Sequence, residues 1–331
     1  MRALSGPGEG VRPPAERAGR APRSARAWRL VVAFAVGVAA CGTDPGVERA
    51  ERAPDTDDVV VDGRGHRLST STPRARVVSL VPSVTEIVVA LGGAGRLVGR
   101  TRFDEDPRLV DVRSVGGAVD PNVEAILDVR PDLVVTWADA GADALTARLE
   151  SLGLPVYAAS VGSIADFHRH TAALGALLGR VGAADSLTRL VENGLAADRP
   201  RDPVADPPVV LFVLWPQPLM TSGRGTFVDE LIDLAGGRGA FADLDAPWPT
   251  VSFESVLERD PDLILVASEN EGEVGPVATW IERDARWRAL DAVREGRVHR
   301  VDADLFNRPG PGMVLAASEL AGLLRPLLEG R

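Results

Sequence analysis

VEAILDVRPDLVV, residues 123–135, and FESVLERDPDLILV, residues 253–266, state nearly the same pattern twice in one chain. Superposed, Glu124 meets Glu254, Leu127 meets Leu257, and Pro131-Asp132-Leu133 meets Pro261-Asp262-Leu263. Each copy reads as one unit: a short helix ended by proline, then a strand of the buried, continuously apolar type. What flanks each copy decides whether the chain holds two equivalent lobes.

Around the first copy, strand and helix patterns alternate. Arg76–Leu80 is a short apolar run of β type. Ser83 and Glu86 follow at capping-box spacing, before a helix that runs to Leu91 and stops at Gly92-Gly93. A strand over 96–99, a helix over 122–129, a strand at Leu133–Thr136, a helix at Asp143–Leu152 and a strand at Val156–Ala159 complete an α/β lobe over 76–162. The alternation then breaks. Ile164, Phe167, Leu174, Leu177, Leu187 and Val191 recur at helical spacing, which predicts one long connecting helix over 163–198, with Gly179 and Gly182 as kink points. RPRDPVADPP (Arg199 to Pro208) cannot continue it.

Around the second copy the alternation returns. Strands are expected at Val209–Leu214, Leu263–Val266 and Val298–Val301, with helices at Thr226–Leu234, Phe253–Arg259, Trp280–Trp287 and Gly312–Leu328. The expected fold is therefore α/β: two lobes with small central sheets, 76–162 and 207–331, joined by one long helix, with a ligand cleft between them.

The 331 residues carry a net charge of −10. Residues 1–40 hold seven Arg against Glu9 and Glu16, which leaves −15 for the remainder. An acidic body lacks the basic face that sequence-independent nucleic-acid binding needs. Leu30–Cys41 is an apolar run too short to span a bilayer and suited to a signal-peptide core. It ends Val38-Ala39-Ala40-Cys41, which resembles the bacterial lipobox, so residues 1–40 read as a lipoprotein signal peptide and Cys41 as the lipidated residue. An ordinary signal peptide or a short anchor helix is the alternative. Cys41 is the single Cys, so no internal disulfide can form. Residues 41–75 are polar and without apolar period, a flexible tether.

The stretches VSLVPSVTEIVVALG, VGGAVDPNVEAILDVRPDLVV, TSGRGTFVDELIDLAGG, APWPTVSFESVLERDPDLILV and VDADLFNRPGP together resemble the class III substrate-binding proteins of ABC importers, over roughly 75–329. Within that superfamily the Pro-Trp-Pro of APWPTVSFESVL is most similar to the cobalamin-binding members. The resemblance implies an exported, membrane-anchored binding protein, a monomer, that is not an enzyme. It would hand cobalamin or another corrinoid to a permease dimer with its ATPase. It implies ligand-gripping aromatics at Trp137, Trp248 and Phe103, with Phe306 and Arg308 in the matching C-lobe loop. It implies one permease-docking acid per lobe, Glu124 and Glu254. Ala118 departs from it, since enteric cobalamin binders have Trp there.

Read without the resemblance, Trp137 follows a strand and so lies at the edge where open α/β sheets bind ligands. Pro247 and Pro249 restrict the backbone around Trp248. Trp215, between a strand and Pro216, fits cleft or core equally; Trp280 and Trp287 read as core. Arg308 either meets a ligand or braces its own loop. Glu124 and Glu254, early in their helices, could equally be capping acids. No Ser-His-Asp or Cys-His set suggests catalysis, and four His at 66, 168, 170 and 299 give no metal-binding pattern. No cofactor is expected. An iron-siderophore or haem binder, using Arg102, Arg224 and Arg308 against an anionic chelate, is the alternative ligand class. A surface interaction module, or an enzyme on the same scaffold, is the alternative from outside transport.

Overall fold

The computed structural model describes residues 58–139, 141–268, 281 and 284–330. The signal peptide, Cys41 and Trp280 lie outside them.

The N-terminal lobe is a parallel sheet of β3 (Val77–Ser79), β4 (Leu97–Gly99), β5 (Leu133–Trp137) and β6 (Val156–Ala159), after a hairpin of β1 (Val59–Val61) and β2 (Arg67–Ser69). The sheet order is β4-β3-β5-β6. Helices α1 (Pro82–Ala90), α2 (Val123–Asp128) and α3 (Asp143–Ser151) connect its strands, and α4 (Ile164–Leu177) and α5 (Val181–Ala197) follow. The second lobe has β7 (Val209–Pro216), β8 (Leu219–Thr221), β9 (Arg238–Gly239), β10 (Leu263–Ser268) and β11 (Val298–Asp302). Its helices are α6 (Phe227–Leu234), α7 (Phe253–Arg259), α8 (Asp291–Arg294), α9 (Ala303–Asn307) and α10 (Met313–Glu329). Its sheet runs β11-β10-β7-β8, parallel except for β8, with β9 also on β7.

The repeated segment does the same structural work in both lobes. Asn122 and Ser252 cap α2 and α7, accepting from the amides of Ala125 at 3.0 Å and Ser255 at 3.2 Å. Arg130 and Asp260 leave the helices in left-handed conformation, at φ 44° and 40°. The aspartate after each proline then binds the entry of the lobe's first strand. Asp132 accepts from the amides of Ala75 (2.7 Å) and Arg76 (3.0 Å), and Asp262 from that of Val209 (2.7 Å). The Pro-Asp-Leu motif thus sets the register of β5 on β3 and of β10 on β7.

Both faces of each sheet are covered. In the first lobe Val77, Leu133 and Val135 enter one cluster while Val78 and Val134 enter another with Ile126 and Leu149, the period-two alternation of strands. One cluster runs without a break from α1 and α4 through Leu187 and Val191 of α5 to Phe212, Leu320 and Leu324 of the second lobe. The lobes share this core.

Three expectations are corrected. Residues 59–69, read as tether, form the β1–β2 hairpin: Asp62, 5 % exposed, accepts from the amides of Arg64, His66 and Ala158, and Gly63 N–H donates to Ala158 O at 2.7 Å, tying the hairpin to β6. The strands are three residues each and lie among charged residues and glycines, outside the strand–helix alternation. Ser83 does not cap a helix; α1 starts one residue earlier at Pro82, and the Ser83 hydroxyl is buried. The single connecting helix is two, α4 and α5, because Gly179 adopts φ +60° and turns the chain between them. α4 packs on α1, and α5 carries the connection by packing on α10.

Candidate functional site

In each lobe the neighbours of the first strand mark a topological switch: β3 lies between β4 and β5, and β7 between β9 and β10. Ligands of open α/β sheets bind beyond the strands' C-terminal ends at such points. Trp137 is the last residue of β5, and its half-buried indole packs on the shared core. Trp248 packs on the same core from the second lobe. Its loop is fastened by backbone: Thr221 N–H donates to Pro249 O (3.1 Å) and Gly223 N–H to Pro247 O (2.8 Å). At Gly223 the approach leaves no room for a side chain, since a Cβ would lie 2.0 Å from Ala246 O.

Trp248 begins an aromatic row. Its ring lies 6.4 Å from Phe212, and Phe212 stacks on Phe306 at 6.3 Å and 18°. Phe306 was expected as a ligand contact; it is 0 % exposed and belongs to the core, because α9 turns it inward onto Phe212. Its role is to back the row. Phe103 is 44 % exposed, with the Arg102 guanidinium 4.8 Å above its ring. Trp215, 57 % exposed, donates its indole N–H to Gln217 O at 3.1 Å, so it stands outside the core on the β7–β8 hairpin.

Arg308 joins the lobes. It pairs with Asp304 at 2.8 Å within its own lobe, reaches Glu86 of α1 at 3.6 Å, and donates to Phe103 O at 3.5 Å. Arg308 braces its own segment through Asp304, and it also faces a carboxylate that neither reading named, Glu86 of the opposite lobe. Sequence reasoning missed Glu86, which it used up as a capping partner of Ser83. The Glu86 side chain is only 21 % exposed. Burial pushes its carboxyl up to about 8, against the pull of Arg308 and with the help of Asp304 and Asp104. Protonated, it is a hydrogen-bond donor.

Three buried polar atoms lie at this edge without protein partners: the Ser83 hydroxyl after β3, the Trp137 indole N–H ending β5, and Asn307 Oδ1 ending α9. Unpaired buried polar groups cost about 1–3 kcal/mol each and call for a partner. The arginines, by contrast, are engaged. Arg102 faces Asp120 at 3.6 Å; Arg224 pairs with Asp245 at 3.3 Å and donates to Ala242 O at 3.0 Å. Tyr157, the one tyrosine, is fully buried behind β6 with its hydroxyl 2.7 Å from His170 Nδ1, and His170 Nε2 lies 2.6 Å from Ser160 O. Burial pushes His170 down and keeps it neutral.

Two cavities lie elsewhere. One of about 470 Å³ sits between α4, α5 and α6, and one of about 300 Å³ beside β2 and α3; neither is lined by any of the expected ligand-binding residues. Among the described residues no three His, Cys, Asp or Glu converge as a metal site, and no helix is long and apolar enough to cross a membrane.

Glu124 and Glu254 occupy the same place in their units, exposed in the first turn of α2 and α7. Hydrogen bonds from its own amide and from Ser252 hold Glu254 below the usual carboxylate range, so it is charged at neutral pH.

Residues 77–305 match the periplasmic binding protein family. The chain is 27% identical over 310 residues to YvrC of Bacillus subtilis, an uncharacterized ABC transporter substrate-binding lipoprotein, covering 90% of this chain and 96% of that one. It is 28% identical over 266 residues to the vitamin B12-binding protein of Vibrio cholerae, covering 78% and 92%. Among solved structures, the periplasmic heme-binding protein RhuT from Roseiflexus sp. RS-1 superposes with a TM-score of 0.67 at 27% identity, covering 76% of this chain and 98% of that one.

Proposed function

We infer that this chain, which belongs to the periplasmic binding protein family, captures a corrinoid between its lobes and delivers it to the permease of an ABC importer. That it is an ABC-importer substrate-binding protein of the B12, haem or siderophore type, not an enzyme, follows from its family and relatives. The choice of corrinoid is our reading.

One observation carries that choice: each arginine available to an anionic chelate is already paired with carboxylate, Arg102 with Asp120, Arg224 with Asp245 and Arg308 with Asp304 and Glu86. A haem would bring two carboxylates, and many siderophores a net negative charge, to three arginines whose charge is already offset by carboxylates among the described residues. A corrinoid brings a large ring bearing neutral amides. Such a ring suits the pre-set faces of Trp248, Trp137 and Phe103. Trp215, standing outside the core on its hairpin, would cover the ring's exposed edge. Among the described residues Tyr157 is buried in β6 and His170 is buried against it, so neither offers an iron ligand on this edge.

In this reading Glu124 and Glu254 dock the two lobes onto the two halves of a permease dimer, since charge-assisted pairs with arginine fix register. Cys41 carries the lipid that keeps the protein on the membrane, which places it in the cell envelope. Loss of membrane attachment in Cys41→Ser checks the anchor. The ligand is tested by titrating the protein with cyanocobalamin, hemin and a ferric siderophore while following tryptophan fluorescence and ligand absorption. Saturable quenching by cyanocobalamin is expected. Binding of hemin with a shifted Soret band, with no response to cyanocobalamin, would overturn it in favour of a haem carrier.

A further inference from the structure

The two copies of the repeated unit match in exposure as well as sequence. From Ile126 and Val256 onward, every aligned pair falls in the same class: Ile126 and Val256 buried, Leu127 and Leu257 exposed, Asp128 and Glu258 exposed, Pro131 and Pro261 buried. Ile126, Val256, Leu133 and Leu263 are at most 1 % exposed, whereas Leu127 is 36 % and Leu257 38 % exposed. A single exposed leucine needs no explanation. Two at the same place of an internal repeat do, because other positions of the unit have diverged: Ala125 aligns with Ser255, Val129 with Arg259, and Arg130 with Asp260.

Helical geometry places these leucines. Leu127 stands three residues after Glu124 and one before Asp128; Leu257 stands three after Glu254 and one before Glu258. Positions i, i+3 and i+4 share one helix face, so each lobe presents an apolar side chain flanked by two carboxylates. α2 and α7 run back toward the start of the strands they precede, so their first turns, with Glu124 and Glu254, lie at the end nearer the cleft.

We propose that Leu127 and Leu257 are the apolar contacts of a duplicated docking patch, acid–leucine–acid, one per lobe. The occupant is the permease dimer, each half offering a small apolar socket edged by basic side chains. This rests on the docking role of Glu124 and Glu254 and goes beyond it. The acids steer and orient; the leucines hold, because partial burial of a leucine is insensitive to salt while exposed ion pairs are not. Repetition on two lobes of one chain is what a partner with two equivalent halves demands.

The test measures binding of the full chain to the importer's permease–ATPase complex in nanodiscs, at low and high salt. Its variants are Leu127→Ala with Leu257→Ala, and Glu124→Gln with Glu254→Gln, each checked for unchanged thermal stability. Each leucine substitution should weaken binding about fivefold, the pair about 25-fold, equally at both salts. The glutamine pair should weaken it chiefly at low salt. If the glutamine pair weakens binding and the leucine pair does not, the leucine proposal is wrong and the docking acids stand. If the leucine pair weakens it and the glutamine pair does not, the acids' role fails while the apolar patch stands. If neither does, both fall.

Discussion

Glu86→Gln separates two opposite accounts of the contact between the lobes. If Glu86 and Arg308 formed an ordinary salt bridge, stability would rise as the carboxylate ionised above its usual 4.5. The geometry argues the reverse. Burial outweighs the attraction of Arg308, and the folded protein holds the Glu86 proton up to about 8. The unfolded chain gives that proton up near 4.5. Between those values the folded state binds more protons, so stability falls with rising pH and levels off above about 8. At about 1.4 kcal/mol per pH unit the interval bounds the effect at roughly 5 kcal/mol. With a fifth of the side chain in water, and with local parting of the lobes able to rehydrate it, about 2–3 kcal/mol is expected. Asp229, pushed to about 6 by burial, and Glu230, Asp233 and Glu319, also raised, give slopes of the same sign. Only the difference between wild type and Glu86→Gln therefore isolates this group. Urea unfolding across the acid-to-alkaline range should show the variant gaining on wild type by that amount as pH rises from about 5 to 8. A wild type that instead gains on the variant as pH rises would mean that Glu86 and Arg308 form an ordinary salt bridge.

Arg308→Ala should lower amide protection in residues 101–104 and 303–308 by hydrogen exchange and reduce stability by about 1 kcal/mol, leaving the rest of both lobes unchanged. Tyr157→Phe leaves buried His170 without its 2.7 Å partner; it should cost about 1–3 kcal/mol in chemical denaturation and leave ligand affinity as it is. Gly223→Val must push the Ala246 carbonyl aside, and with it the loop that holds Trp248; calorimetric titration should show affinity for cobalamin falling by about tenfold or more, with a smaller loss of stability.

The repeated unit was legible in sequence because proline, aspartate and a run of buried aliphatics leave few alternatives. Its lobes, helices and parallel strands followed from it. β1, β2, β8 and β9 were not legible; β3 and β4 are as short, but they stand within the strand–helix alternation that the other four interrupt. The capping-box spacing of Ser83 and Glu86 misled for a physical reason. Pro82 can itself begin a helix, which frees Glu86 to face Arg308, some 220 residues away in sequence. The place of Trp137 at the end of β5 was readable from its strand, and the fastened loop of Trp248 from its flanking prolines. Phe306 was not, because a short helix can turn an aromatic toward ligand or core, and Phe212 was there to receive it.

Isothermal titration of the protein with cyanocobalamin, beside Trp248→Ala, asks whether a corrinoid is held by the Trp248 row between the lobes. The account predicts one ligand per chain with a dissociation constant of about 1 µM or tighter, weakened at least about tenfold in the variant. No binding at ligand concentrations of about 100 µM, or equal affinity in the variant, would contradict it.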